Sequence, residues 1–123
     1  MILVDTSIWV DHLRHGEERL ATLLDHGQVL MHPFIMGELA LGQLRQRQAV
    51  LADLMDLPTA TVAGDDETMR LIEQESLYGM GIGYIDAHLL AAALLTSGAT
   101  IWTRDRRFLV AAEKLSLAAR VSH

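Results

Sequence analysis

The chain has no cysteine. Disulfides, zinc–thiolate sites and thiol nucleophiles are therefore excluded, and the composition suits a reducing compartment such as the cytoplasm. Proline is scarce, at two residues, so glycine has to supply most of the helix stops. Aromatic residues make up only 5% of the chain, which leaves the core to aliphatic side chains. Positive charge is also in short supply. Ten Lys and Arg stand against sixteen Asp and Glu, for a formal net charge of −6. That excludes a broad basic face for non-specific nucleic-acid binding. It does not exclude a nuclease, because a metal ion can provide positive charge where phosphate binds. Long apolar runs are missing too. The longest nearly uncharged stretch, residues 79–103, is interrupted by Asp86, His88 and several glycines, so no membrane span is expected. The N-terminus meets Asp5 at once without a basic region, unlike a signal peptide.

What is present is a chain of 123 residues, half of them apolar. This length predicts one domain over residues 1–123 with a core of its own. Apolar surface left over after folding would favour a homodimer or a bound partner.

Strand and helix patterns alternate along the sequence. Ile2–Val4 reads as a strand, followed by a helix capped by Thr6 or Ser7 that carries Ile8, Trp9, Val10 and Leu13. Glu17 and Glu18 open a second helix with Leu20, Leu23 and Leu24 on one side, and Gly27 stops it. Residues 28–32 form a second strand. Pro33 suits a first helical turn, and that helix is expected to reach about Leu44. Residues 46–57 repeat the helical pattern up to Pro58. Residues 59–62 suit a short strand. Asp65, Asp66 and Glu67 place negative charge at a helix start, and this helix is expected to reach Tyr78. After a glycine-rich loop, Asp86 to Ser97 is an apolar helix, residues 99–103 are a strand, and Asp105 caps a last helix through Lys114. The tail 115–123 has room for one more strand. Strands separated by helices imply parallel pairing and a three-layer α/β/α sandwich with a central, mostly parallel sheet.

Four acids stand at sensitive points of this order: Asp5 after the first strand, Glu38 in the helix from Pro33, Asp86 opening the Ala/Leu-rich helix, and Asp105 after the last strand. In open α/β sheets, ligands gather beyond the carboxyl ends of the strands, and Asp5 and Asp105 share that edge. Glu38 is surrounded by apolar neighbours, which puts it on or near a buried face where a carboxylate needs a partner. Singly, each acid reads as a helix cap, a solvated side chain or an ion-pair member. Together they read as a site for a hard cation, Mg²⁺ or Mn²⁺, whose charge relieves their repulsion. His12 and His15 stand three apart on one helix, half of a zinc pattern with no second half. His88, Trp9 and Trp102 read as packed residues, and Met31, Met36, Met55, Met69 and Met80 as core fillers. Arg104, Arg106 and Arg107 read equally as phosphate ligands and as counter-charges to the acids.

Asp5-Thr6-Ser7 after a starting strand, Glu38 after a second, Asp86 opening an Ala/Leu-rich helix, and Thr103-Arg104-Asp105 followed by Phe108 resemble the PIN-domain ribonucleases. The likeness is to VapC-type toxins of toxin–antitoxin pairs, and the motif order matches over nearly the whole chain. The resemblance implies a Mg²⁺-dependent endoribonuclease with Asp5, Glu38, Asp86 and Asp105 as its acidic metal site. It also implies support from the hydroxyls of Thr6 or Ser7 and of Thr103, a homodimer, and neutralisation by a VapB-type antitoxin. The antitoxin is expected beside the first helices, on an apolar face of Ile8, Trp9, Leu13, Leu20 and Leu24. The alternative from another class is a non-catalytic PIN-like binding module.

Overall fold

The computed structural model describes residues 1–121. Three parallel strands form the centre: β1 (Ile2–Val4), β2 (Val29–Leu30) and β3 (Thr100–Trp102), in the order β2-β1-β3. Isolated parallel bridges extend both edges, Met31 to Thr59 and Ile101 to Ala118. The helices are α1 (Thr6–His15), α2 (Glu18–Asp25), α3 (Pro33–Ala40), α4 (Arg47–Met55), α5 (Asp65–Gln74), α6 (Tyr84–Leu95) and α7 (Arg106–Lys114).

The strand order fixes where a site can form. From the central β1 the chain moves to one side to reach β2, then crosses back over β1 to reach β3. Right-handed crossovers in opposite directions put their helices on opposite faces of the sheet. The chain therefore leaves β1 toward one side and β3 toward the other, which opens a crevice between their carboxyl ends. The β1 end is tied across this crevice by the Asp5 N–H, which donates to the Trp102 carbonyl at 2.9 Å.

The core is aliphatic, with Trp9, Trp102 and Phe108 as its buried aromatics. Residues Ala87–Ala93 of α6 are buried without interruption. A helix covered all round has to be narrow where neighbours approach, and Ala87, Ala91, Ala92 and Ala93 supply that narrowness beside β3 and α5. His32 caps α3 by accepting the Phe34 N–H at Nδ1 (3.0 Å). Its Nε2 is buried without a protein partner. Burial, and next the nearby His88, push its pKa down to about 4, so the imidazole is neutral.

Several boundaries differ from the sequence expectation. α3 stops at Ala40, not Leu44. Leu41 and Gly42 turn back on its last carbonyls, and the Arg47 guanidinium donates to the carbonyls of Ala40 (2.5 Å) and Gly42 (3.2 Å). Such a distant side-chain cap leaves no local signature. α5 stops at Gln74, not Tyr78, because Ser76 adopts a left-handed φ of 53° and the Leu77 N–H folds back to the Ile72 carbonyl. α6 begins at Tyr84, so Asp86 lies in its first turn, not at its opening. The expected strands at 59–62 and in the tail are reduced to the two single bridges, and Ser122 and His123 fall outside the described residues. Met31 is buried, and Met36 and Met80 pack against the core, but Met55 and Met69 are exposed and fill nothing. Ile8, Trp9 and Leu20 are buried under the chain's own elements, so the face expected to receive an antitoxin is internal there.

The packing of α6 predicts an asymmetry. Ala92→Leu, placed where no exposure remains, should lower unfolding free energy by about 1–3 kcal/mol through overpacking. Leu95→Ala on the exposed side should change it by less than ~1 kcal/mol. Urea denaturation of the two variants checks both.

Candidate metal and nuclease site

The crevice holds a cleft of about 570 Å³ lined by Asp5, Thr6, Ser7, Glu38, Ile85, Asp86, Arg104 and Asp105. All four acids from the sequence reading are in its wall. Each accepts at least one hydrogen bond that positions it.

Asp5 is the N-cap of α1. Its Oδ1 accepts the Thr6 N–H at 2.8 Å, and its Oδ2 accepts the Thr103 hydroxyl at 2.7 Å. Thr103 is nearly buried, and its Oγ1 also accepts the Asp105 N–H at 3.0 Å. One hydroxyl therefore locks the two crevice acids to each other. Asp105 caps α7 by accepting the Phe108 N–H at 3.0 Å. Asp86 Oδ2 accepts the Gly83 N–H at 3.3 Å, which ties it to its own helix start. Glu38 Oε1 accepts the Thr6 hydroxyl at 3.0 Å. Glu38 is exposed toward the cleft, not set against a buried face as its neighbours suggested. Ile35 and Leu39 turn inward on another side of α3, while Phe34 and Leu41 are themselves exposed. Ser7 lines the cleft without a side-chain hydrogen bond to any described residue.

The electrostatics carry the mark of crowding. The Asp86 carboxyl is held above its usual range. Burial is the largest cause, opposed by the Gly83 N–H, with repulsion from Asp5, Asp105 and Glu38 adding to it. The donor set is entirely hard oxygen, which fits Mg²⁺ or Mn²⁺ and not a soft metal. Among the described residues, no three acid or imidazole side chains already stand close enough to share one ion. The hydrogen bonds hold the carboxylates around the cleft, and a cation shared by three of them would have to draw them closer together. His12 and His15 form no zinc site. His12 Nδ1 accepts the Glu17 N–H, and His15 is exposed.

The arginines divide. Arg104 lines the cleft, yet its guanidinium is bound to Asp11 (2.7 Å) and Glu17 (2.6 Å), away from the four acids. Hydrogen bonds from Arg19 and then Arg104 pull the Glu17 carboxyl down to about 2. Arg106 and Arg107 are exposed. His88 is buried between Asp65 (3.0 Å) and Thr68 (3.2 Å), with Tyr84 also donating to Asp65 at 2.8 Å. The tyrosine and then the histidine lower the Asp65 pKa. Sequence reading did not foresee this network. Its available signal was Tyr84 and His88 one helical turn apart, facing an acidic helix start.

Comparison with known proteins decides the family. The PIN domain model matches residues 2–114. The chain belongs to the PIN-domain family. It is 44% identical over 124 aligned positions to ribonuclease VapC32 of Mycobacterium tuberculosis, in two strains, covering 99% of this chain and all of the relative. That places it in the VapC ribonuclease branch, within a group of toxins and of typically metal-dependent enzymes. Among solved structures it is similar to FitAcB from Neisseria gonorrhoeae, with a TM-score of 0.61 and 23% identity over 92% of this chain and 94% of that one. This likeness speaks for the fold. Among the described residues, no helix is long and apolar enough to cross a membrane.

The raised Asp86 pKa yields a test without activity. A carboxyl with a raised folded-state pKa destabilises the fold when ionised, and the penalty is relieved as pH falls through that pKa. Without divalent metal, Asp86→Asn should melt higher than the parent near pH 7. The gap should close as pH drops toward the ordinary aspartate value of 3.8. Millimolar Mg²⁺ should raise the parent's melting temperature more than the variant's. Thermal melts across pH check the sign.

Proposed function

We propose that this PIN-domain protein is a Mg²⁺-dependent endoribonuclease toxin that hydrolyses RNA phosphodiester bonds at the Asp5, Glu38, Asp86 and Asp105 cleft. In this reading it works in the cytoplasm as a homodimer, and a VapB-type antitoxin silences it. The observation that carries the reading is the cleft itself: four carboxylates from separate elements, each held by a hydrogen bond, with the charge of Asp86 disfavoured by burial and then by the other three.

Asp5, Glu38, Asp86 and Asp105 would hold Mg²⁺, or Mn²⁺ in its place. The bound ion would supply Lewis acidity toward the phosphate and a lowered pKa for water. The rest is the work of this chain's own groups. Thr103 fixes the Asp5 carboxylate through its hydroxyl and aligns the Asp105 backbone. Thr6 aims Glu38. One of the two exposed acids, Glu38 or Asp105, would accept the proton that water loses as it attacks phosphorus. Ser7 faces the cleft as a further hydroxyl ligand for phosphate oxygen or bound water. The non-catalytic module remains the competing class, and activity separates the two. Asp86→Asn and Asp5→Asn should each lower Mg²⁺-dependent RNA cleavage by at least ~10²-fold while the circular dichroism stays native. An Asp86→Asn protein that cleaves at the parental rate would remove the assignment.

The antitoxin reading moves with the structure. In place of the internal face around Trp9 and Leu20, a groove of about 480 Å³ runs between α1 and the α3–α4 turn. Val10, Leu13, Leu39, Leu44 and Val50 supply its apolar wall, and Glu38 joins it to the acid cleft. An apolar segment could lie in this groove with an arginine directed at the acids. Exposed Phe34, Tyr84, Ile85, Leu94 and Leu95 offer apolar surface for the second copy in the homodimer. If the antitoxin's arginine and Mg²⁺ compete for the same charge, raising Mg²⁺ from 1 to about 20 mM should relieve inhibition more than matched ionic strength from NaCl. Equal effects of the two salts would mean steric blockade instead.

A further inference from the structure

The three arginines around Asp105 differ in what occupies them. Arg104 is held by two carboxylates. Arg107 makes no hydrogen bond or ion pair to any described residue. Its side chain is nevertheless not loose. It lies across the Cα of Gly81, in the turn that leads into α6. A Cβ built on Gly81 would stand 2.7 Å from Arg107 Cδ, 2.9 Å from Nη1 and 3.2 Å from Nε. Gly81 has a φ of +80°, a conformation that also favours glycine. Backbone and contact thus select the same residue, and the missing side chain makes a seat for the guanidinium.

The seat has a definite position. Gly81 is five residues before Asp86, and Arg107 is two residues after Asp105. The guanidinium therefore joins the two segments that deliver these acids, just outside the residues that line the cleft itself. In a chain of net charge −6, a polyanion needs local cations beside such a cleft. Arg104 is already neutralised; Arg107 is exposed and has no ion-pair partner among the described residues. A flat guanidinium resting on a glycine also loses less freedom on binding a phosphate than a free side chain does.

We propose that Arg107, seated on Gly81, is a binding site for a backbone phosphate of the RNA strand next to the one being cleaved. The site rests on the ribonuclease reading. Arg107 touches the flanking phosphodiester, not the reacting atoms, so it governs strand affinity and leaves the chemical step to the acids. Gly81 is its positioning residue.

The test uses the full chain and a fluorescein-labelled, single-stranded 12-mer RNA. Binding is measured by anisotropy in the Asp86→Asn background, where the RNA stays intact, and cleavage is measured in the active protein. Arg107→Ala should weaken binding roughly fivefold and reduce the slope of log Kd against log salt by about 0.7, the loss of one phosphate contact on a single strand. KM should rise with kcat within about twofold of the parent. Arg107→Lys should keep the salt slope. Gly81→Ala, which evicts the guanidinium, should weaken binding to a similar extent and add little on top of Arg107→Ala. Arg70→Ala, which removes the same charge from distant α5, should leave binding unchanged. Parental affinity and salt slope in Arg107→Ala would overturn the site, as would loss of kcat without loss of affinity, which would make Arg107 a prop for the acids. A change in molecular mass by light scattering on Arg107→Ala would also overturn it, assigning the arginine to a contact between copies. If the parent cleaves no RNA with Mg²⁺ or Mn²⁺, the ribonuclease reading itself fails and takes the site with it. If the parent cleaves and Arg107→Ala behaves identically, only the phosphate site fails.

Discussion

Repulsion among carboxylates at one edge of a parallel sheet is the constraint around which this molecule is arranged. Asp5 and Asp105 come from adjacent strand ends, and Glu38 and Asp86 from helices that pack on either side of the crevice. Left free, the four would swing into solvent. Instead each accepts at least one hydrogen bond from a neighbouring backbone amide or threonine hydroxyl. Three of the acids thereby cap helix starts, where the peptide dipoles favour negative charge. The helix termini thus offset part of the repulsion. Asp86 retains a raised pKa, through burial first and then through the repulsion that the caps do not cancel.

This double use explains why the individual acids were ambiguous in sequence and the set was not. Asp5 and Asp105 read equally as caps and as site residues because they are caps that also face the cleft. Their separation in sequence, each after an apolar strand, made the convergence legible through the topology of parallel sheets. Glu38 was legible as a member of the set but not in its exposure. Phe34, Ile35 and Leu39 surround it in sequence, yet the helix turns only Ile35 and Leu39 inward while Glu38 faces out. The strand–helix order and the parallel sheet followed from hydrophobic patterning. The helix ends at Ala40 and Gln74 did not, since they depend on Arg47 reaching back to carbonyls and on a left-handed serine. Long-range caps and non-glycine turns carry no periodic signal.

The distribution of cations is as informative as that of the acids. Arg104 borders the cleft and could have neutralised it. Its guanidinium is instead fastened to Asp11 and Glu17, beside the Trp102 ring. Two short contacts to carboxylates hold this guanidinium in one place. It fastens the turn after β3 to α1 and the start of α2, so the arginine nearest the acids acts on their position and not on their charge.

The cleft therefore has no internal counter-ion among the described residues, and its field is left for something from outside. A divalent cation, an arginine of an antitoxin and the counter-ions carried by RNA would all respond to the same four carboxylates. They differ in reach. In the proposed reading a small ion would enter the cleft itself, whereas an antitoxin's guanidinium would come along the groove that ends at Glu38. Glu38 is the one acid common to both cavities, and a single threonine hydroxyl holds it. A ligand in the groove that drew Glu38 toward itself would break that bond and remove one oxygen donor from the cleft. Inhibition and metal affinity would then be coupled through one flexible side chain, with no change of fold required.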